Sequence, residues 1–194
     1  MTFDGTPTTG EKIALFIDGE NLHLTARALG FDLDYRKLLD EFQRGSTVPR
    51  ALYYTVIVED QEKPSGVQAL TDWLDYNGFF IVSKSTKEYV DANGRRRVRG
   101  GRFHVELTVD AMALAEQLDE MVLFSGDGAF RPVVKALQRR GVSVTVVSTV
   151  ATTPPMIADE LRRQADCFID LVDLRGRLGR SISDRATSRR KPLR

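Results

Sequence analysis

Short apolar runs alternate along the chain with segments in which apolar residues recur at helical spacing. The runs at 13–18, 51–58, 79–83, 121–125, 143–148 and 167–171 are apolar at consecutive positions rather than at every second one, the pattern of strands covered on both faces. Between them, 21–29, 35–42, 65–76, 103–117, 130–140 and 156–164 read as helices. Strand and helix in alternation predict an α/β fold around a central, mostly parallel sheet, with helices on both sides.

One segment breaks the alternation. "KEYVDANGRRRVRGGR", residues 87–102, places Asn93-Gly94 between two extended arms, a strong signal for a β-hairpin. Arg95, Arg96, Arg97, Arg99 and Arg102 make its second arm a concentrated positive strip, which predicts a basic hairpin insertion that contacts phosphate groups. The plainer alternative is a sheet edge protected by charge.

Two strands end on an acid. "IALFIDGENL" turns at Asp18, and "LFSGDGAF" at Asp127. Carboxyl ends of parallel strands are where an open α/β sheet places its functional crevice, so the two carboxylates are expected near one another. Clustered carboxylates repel unless a cation neutralises them, and oxygen-only ligands suit Mg2+ or Mn2+. Alternatively, each Asp caps the helical turn that follows it. A third acidic element lies in "RFHVELTVDAMALAEQL", where Phe103, Leu107, Ala111 and Leu114 form an apolar stripe and Glu106 and Asp110 sit one turn apart. Arg102 is placed to pair with Glu106, whereas Asp110 has no basic residue three or four positions away, which favours a metal opposite it.

Composition narrows the class. The 194 residues are 42% hydrophobic and 28% charged with a net charge of +1, which fits one globular domain, 13–174, between a flexible N-terminus, 1–12, and a basic tail, 175–194, expected to be disordered. A single cysteine, Cys167, allows no internal disulfide; it reads as a buried small hydrophobe in a reducing compartment. No apolar run approaches the roughly 20 residues that span a bilayer, so a soluble cytoplasmic protein without a membrane partner is expected. Of the aromatic residues Tyr53, Tyr54, Trp73, Tyr76, Phe79 and Phe80, most sit at core spacing. His23 and His104 are the only histidines, and each reads more readily as a surface or satisfied side chain than as a base.

The motifs "FIDGENL", "VELTVDAMALA", "FSGDGAF", "RPVVKALQRRGVSVTVVS" and "PPMIADELRRQAD" together resemble bacterial NYN-domain proteins of the LabA-like type, relatives of the PIN-like nucleases, over about residues 13–174. The resemblance implies a PIN-like three-layer α/β sandwich that uses Mg2+ or Mn2+ to hydrolyse single-stranded RNA. It implies Asp18, Asp110 and Asp127 as catalytic metal ligands and Asn21, Ser125 and Gly126 as groups that orient ligands or substrate; Glu106, one turn from Asp110, is expected to help hold the metal. Three positions in two motifs depart from the family pattern: Ala129 stands where "SGDGDF" has its last aspartate, and Gly101 and His104 stand at the lysine and the aspartate of "KGVDV". Imidazole binds Mn2+ better than Mg2+, which makes His104 a candidate metal ligand. The rival expectation is a catalytically weakened module that binds RNA or a protein. A homodimerisation module is a third.

Overall fold

The computed structural model describes residues 10–43, 47–58, 66–90, 96–99 and 102–180. Seven strands form one sheet in the order β4-β3-β2-β1-β5-β6-β7: β1 (Lys12–Asp18), β2 (Thr47–Val58), β3 (Phe80–Val90), β4 (Arg96–Arg99), β5 (Glu120–Phe124), β6 (Ser143–Ser148) and β7 (Cys167–Asp170). All neighbours are parallel except β3 and β4, whose antiparallel register pairs Lys87 with Arg99 and Val90 with Arg96. This is the hairpin that Asn93-Gly94 foretold. Its turn, and with it Arg95, lies outside the described residues.

The helices divide between the two faces. On one face α1 (Gly19–Ala28), α2 (Tyr35–Gln43), α3 (Gly66–Tyr76) and α7 (Arg175–Leu178) cover Ile13, Leu15, Ile17, Tyr53 and Phe124. On the other, α4 (His104–Leu114), α5 (Arg131–Gln138) and α6 (Asp159–Gln164) cover Ala14, Phe16, Leu52, Tyr54 and Leu123. Successive β1 side chains enter opposite cores, which is why its whole run is apolar. The result is the expected PIN-like three-layer sandwich.

Connections from β1 run to β2 over one face, whereas the chain returns to β5 on the other side of β1 after α4. The order therefore reverses between β1 and β5, and the carboxyl ends of these two strands flank the switch point. Asp18 closes β1, and Asp127 follows β5 by three residues.

Some expectations shift. The tail expected from 175 does not hold for residues 175–180, because α7 buries Leu178, Arg177 pairs with Glu41 of α2, and Gly179 bridges Leu33. Residues 181–194 and 1–9 lie outside the described residues. Tyr53, Tyr54 and Phe79 are core residues as expected, but Tyr76 and Phe80 are exposed, Phe80 beneath the Arg50 guanidinium. Cys167 is only half-buried, because β7 is the last strand of the sheet.

Candidate active site

The site is assembled from two strand-end turns. Asp18 ends β1 with its side chain on the α4 side, like Phe16, and is 6% exposed. Its two oxygens have separate tasks. Oδ1 accepts the Asn21 backbone N–H at 3.1 Å and so caps α1, as the plainer reading held. Oδ2 accepts the Ser125 hydroxyl at 2.9 Å, linking β1 to the turn after β5. Burial pushes the Asp18 carboxyl above its ordinary range; the Asn21 N–H and Ser125 hydroxyl oppose that shift, and the nearby Glu20 and Asp127 charges add to it.

Asp127 repeats the division. Oδ1 accepts the Ala129 N–H at 2.9 Å, capping the short 3-10 turn Gly128–Phe130, while Oδ2 lies 3.0 Å from His104 Nε2. The His104 ring meets the Phe130 ring edge-on, with centroids 5.0 Å apart. Ala129 thus contributes a backbone donor, and its methyl side chain is exposed.

Gly19 and Gly126 are there because of close approach. A Cβ on Gly19 would fall 2.5 Å from the Tyr53 hydroxyl, and one on Gly126 would fall 1.8 Å from the Met156 carbonyl oxygen. Gly126 is also held at both ends of its peptide: its N–H donates to Asn21 Oδ1 at 3.0 Å, and its carbonyl accepts the Ala158 N–H at 2.9 Å. Asn21, Ser125 and Gly126 therefore lock the two turns together.

These turns open on a cleft of about 230 Å³. Asp18, Glu20, Asn21 and Leu24 line it from β1 and the helix that follows, Asp127 from the turn after β5, and Arg102, Phe103 and His104 from the start of α4. The two acids of α4 do not line it. Asp110 accepts the Tyr54 hydroxyl at 2.9 Å, so the partner missing from its own helix comes from β2. Burial first, and then the Asp110 carboxylate, push the Tyr54 phenol upward. Glu106 is taken by Lys84 of β3, Nζ to Oε1 at 2.6 Å, instead of by Arg102; this contact holds its carboxyl below the ordinary range. Its second oxygen is covered and meets no donor among the described residues. Lys84 also donates to the Arg102 carbonyl at 3.2 Å, which ties the segment entering α4 to the sheet.

Asp18, Asp127, His104, Asn21, Ser125, Gly126 and Arg102 are thus brought together, and Glu106 and Asp110 are turned to other partners. Arg96, Arg97 and Arg99 lie on the edge strand β4, which pairs antiparallel with the end of β3, Lys87 to Val90, beyond the register of β3 with β2. Among the described residues no three His, Cys, Asp or Glu side chains form a cluster that could hold a metal ion by themselves. The donor chemistry in the cleft still fits Mg2+ or Mn2+, because Mg2+ keeps several waters and is commonly bound through only one or two carboxylates. Glu20, Tyr54 and Lys84 were missed in the sequence. Glu20 stands inside the quoted "IDGENL", and its position in the first helical turn after a strand-end acid was the available signal.

Residues 12–173 match the NYN domain. The chain belongs to the NYN domain family. It is 34% identical over 167 residues to the low amplitude and bright protein LabA of Synechococcus elongatus, covering 84% of this chain and 86% of that one. Among solved structures, a protein of unknown function from Vibrio parahaemolyticus superposes with a TM-score of 0.66 at 26% identity, covering 88% of this chain and 96% of that one. In the described part of this NYN domain no helix is long and apolar enough to cross a membrane.

Proposed function

We propose that this NYN domain hydrolyses phosphodiester bonds of single-stranded RNA with the help of Mg2+ or Mn2+. The observation that supports the reading is the convergence of Asp18 and Asp127, from strands on either side of the switch point, on one cleft that Arg102 and His104 also line. Asp18 and Asp127 would hold the ion; when bound, it lowers the pKa of a water and offsets charge that builds on the phosphoryl oxygens. Ser125 fixes the Asp18 oxygen that faces Asp127's turn, and Asn21 fixes the Gly126 peptide, so both acids keep their positions without rearrangement. Arg102, with Arg96, Arg97 and Arg99 on the neighbouring edge strand and Arg95 beyond it, would bind RNA phosphates as counter-charges.

A Mn2+-dependent cleavage assay on single-stranded RNA tests the reading. Asp18→Asn and Asp127→Asn should each lower the rate on the order of 100-fold or more, since an ion's stabilisation of the transition state is worth several kcal/mol. Cleavage that persists in both variants overturns it.

A second reading, an RNA- or protein-binding regulatory module without cleavage, is favoured by one observation. All four expected acids already have a protein partner: Asp18 with Ser125, Asp127 with His104, Asp110 with Tyr54, and Glu106 with Lys84. Cleavage absent from the natural chain but created by Ala129→Asp with His104→Asp decides for that module.

A further inference from the structure

We infer that a second cavity, beside α1, binds the phosphate group of a nucleotide; where that nucleotide belongs to RNA, the inference rests on the RNA reading above. The cavity holds about 390 Å³, the size of small-molecule sites, and lies among α1, the loop that follows it, α3 and the segment after α7. Arg27 and Arg180 line it, with His23, against a single described acid, Asp32. Two guanidinium groups thus face one carboxylate, and the cavity keeps a net positive charge even where Asp32 offsets one of them. Leu33, Leu70 and Phe31 supply an apolar lining next to these charges, which suits a ligand with an anionic end and a less polar body.

Arg180 is held at this place by its backbone. Its N–H donates to the Asp32 carbonyl at 2.9 Å, the Leu178 carbonyl accepts the Asp34 N–H at 2.8 Å, and Lys37 Nζ donates to the Gly179 carbonyl at 3.1 Å. Residues 178–180 are thereby laid against the loop after α1, and an arginine from the far end of the sequence joins Arg27. Beneath it lies Tyr35, 5% exposed. Burial pushes the Tyr35 phenol upward, while the Tyr53 hydroxyl and then the Arg180 charge oppose that shift, so the guanidinium is close to the phenol. The cavity is also next to the cleft. Glu20 and Leu24 of α1 line the cleft, and His23 and Arg27 line the cavity. At 3.6 residues per turn these two i, i+4 rows are neighbouring ridges roughly 60° apart around the helix. A single strand that leaves the cleft crosses α1 there and meets two guanidinium groups, whose planar forks match phosphate oxygens. The competing explanation is that the arginines only keep the surface soluble where residues 178–180 dock, which predicts no effect on ligand binding when they are removed.

The test uses the full chain without divalent ions and two probes: an oligouridylate of about 12 nucleotides, followed by fluorescence anisotropy, and uridine monophosphate, followed through the backbone amide signals of residues 26–35 in NMR. Replacing Arg27→Ala and Arg180→Ala together should weaken oligonucleotide binding about 5-fold or more at 0.1 M salt. The slope of log affinity against log salt should fall by roughly 0.7 for each phosphate contact removed. Arg139→Ala, which removes an exposed cation from the far end of α5, should change affinity less than about twofold. That pattern assigns the bound phosphate to RNA. Amide shifts with uridine monophosphate that vanish in the double variant, with oligonucleotide binding unchanged, keep the phosphate site and assign it to a free nucleotide. If Arg139→Ala weakens RNA binding as much and no amide shifts appear, the effect is net charge and the inference is overturned. It is overturned as well if the double variant alters the binding of neither probe, and cleavage by the natural chain would then leave the proposed function standing. An oligonucleotide that does not bind the natural chain at all sinks the RNA reading, and the amide shifts alone then decide for or against the cavity.

Discussion

The acids of the strand ends and the acids of α4 make an instructive pair. Asp18 and Asp127 are placed by the sheet: their strands are adjacent and parallel, their turns are bonded to each other through Ser125 and Asn21, and each spends one oxygen on capping a helical turn. Glu106 and Asp110 are placed by the rotation of a helix, and each is bonded to a residue from a strand beneath it, Lys84 or Tyr54. Position at a strand end follows from topology. Orientation on a helix face depends on partners far away in sequence, here 22 and 56 residues away. The same residue type in the same family pattern thus serves a cleft in one place and a packing contact in the other.

If the strand-end region is as rigid as this comparison says, enlarging Gly126 should damage it most. A Cβ there meets the Met156 carbonyl oxygen and carbon, backbone atoms that cannot swing aside as a side chain would. Gly126→Ala should cost about 3 kcal/mol, at the upper end for overpacking, and lower the melting temperature by roughly 6–12 °C in a chain of this size. Gly66→Ala, at the start of α3 with nothing within 4 Å of a new Cβ, is the matched control and should hold or raise stability. Equal melting of the two variants would show that the 149–158 loop yields easily.

The same contrast explains what could be read in the sequence. Consecutive apolar positions gave the strands, helical spacing gave the helices, and together they led to the layers and to Asp18 and Asp127 at one crevice. The hairpin followed from Asn93-Gly94. Pairing across the sheet was not legible: Asp110 looked unpartnered because Tyr54 lies on β2, and Arg102 looked like the mate of Glu106 because Lys84 lies on β3. Residues 175–180 resemble a tail by composition, and contacts that composition does not show hold them in the fold: the docking of Leu178 in the core, the Glu41–Arg177 pair and the Leu33–Gly179 bridge. Glu20 was overlooked for a different reason, since an acid in a first helical turn needs no further explanation.

Removing the Tyr54 hydroxyl sharpens the other side of the comparison. Tyr54→Phe keeps the ring stacked between Phe16 and Phe103 and deletes only the bond to Asp110, so it should cost about 1 kcal/mol in a denaturant melt. RNA cleavage should stay within about threefold of the natural chain, a barrier change well under 1.4 kcal/mol. A loss comparable to that of Asp18→Asn would return Asp110 to the reacting centre and dissolve the distinction between the two pairs of acids.

The smallest effect concerns the cost of keeping Asp18 where it is. Burial raises its carboxyl above the 3.8 of an unfolded chain, so the folded state binds this proton more tightly than the unfolded state does. Stability from this group is therefore greatest below 3.8, falls as the pH rises through the folded value, and stays at its minimum above it. Asparagine has no such titration but keeps an oxygen for the Asn21 N–H. Asp18→Asn should accordingly melt slightly higher relative to the natural chain at pH 7 than at pH 3.5, with the difference growing as pH rises above 3.8. Mn2+ should reverse the order at neutral pH by binding only the natural chain, since an ion that binds the folded state alone stabilises it by mass action. A difference in melting temperature that does not move with pH would mean that the buried charge is already compensated within the fold, and the strand-end acids would then resemble those of α4.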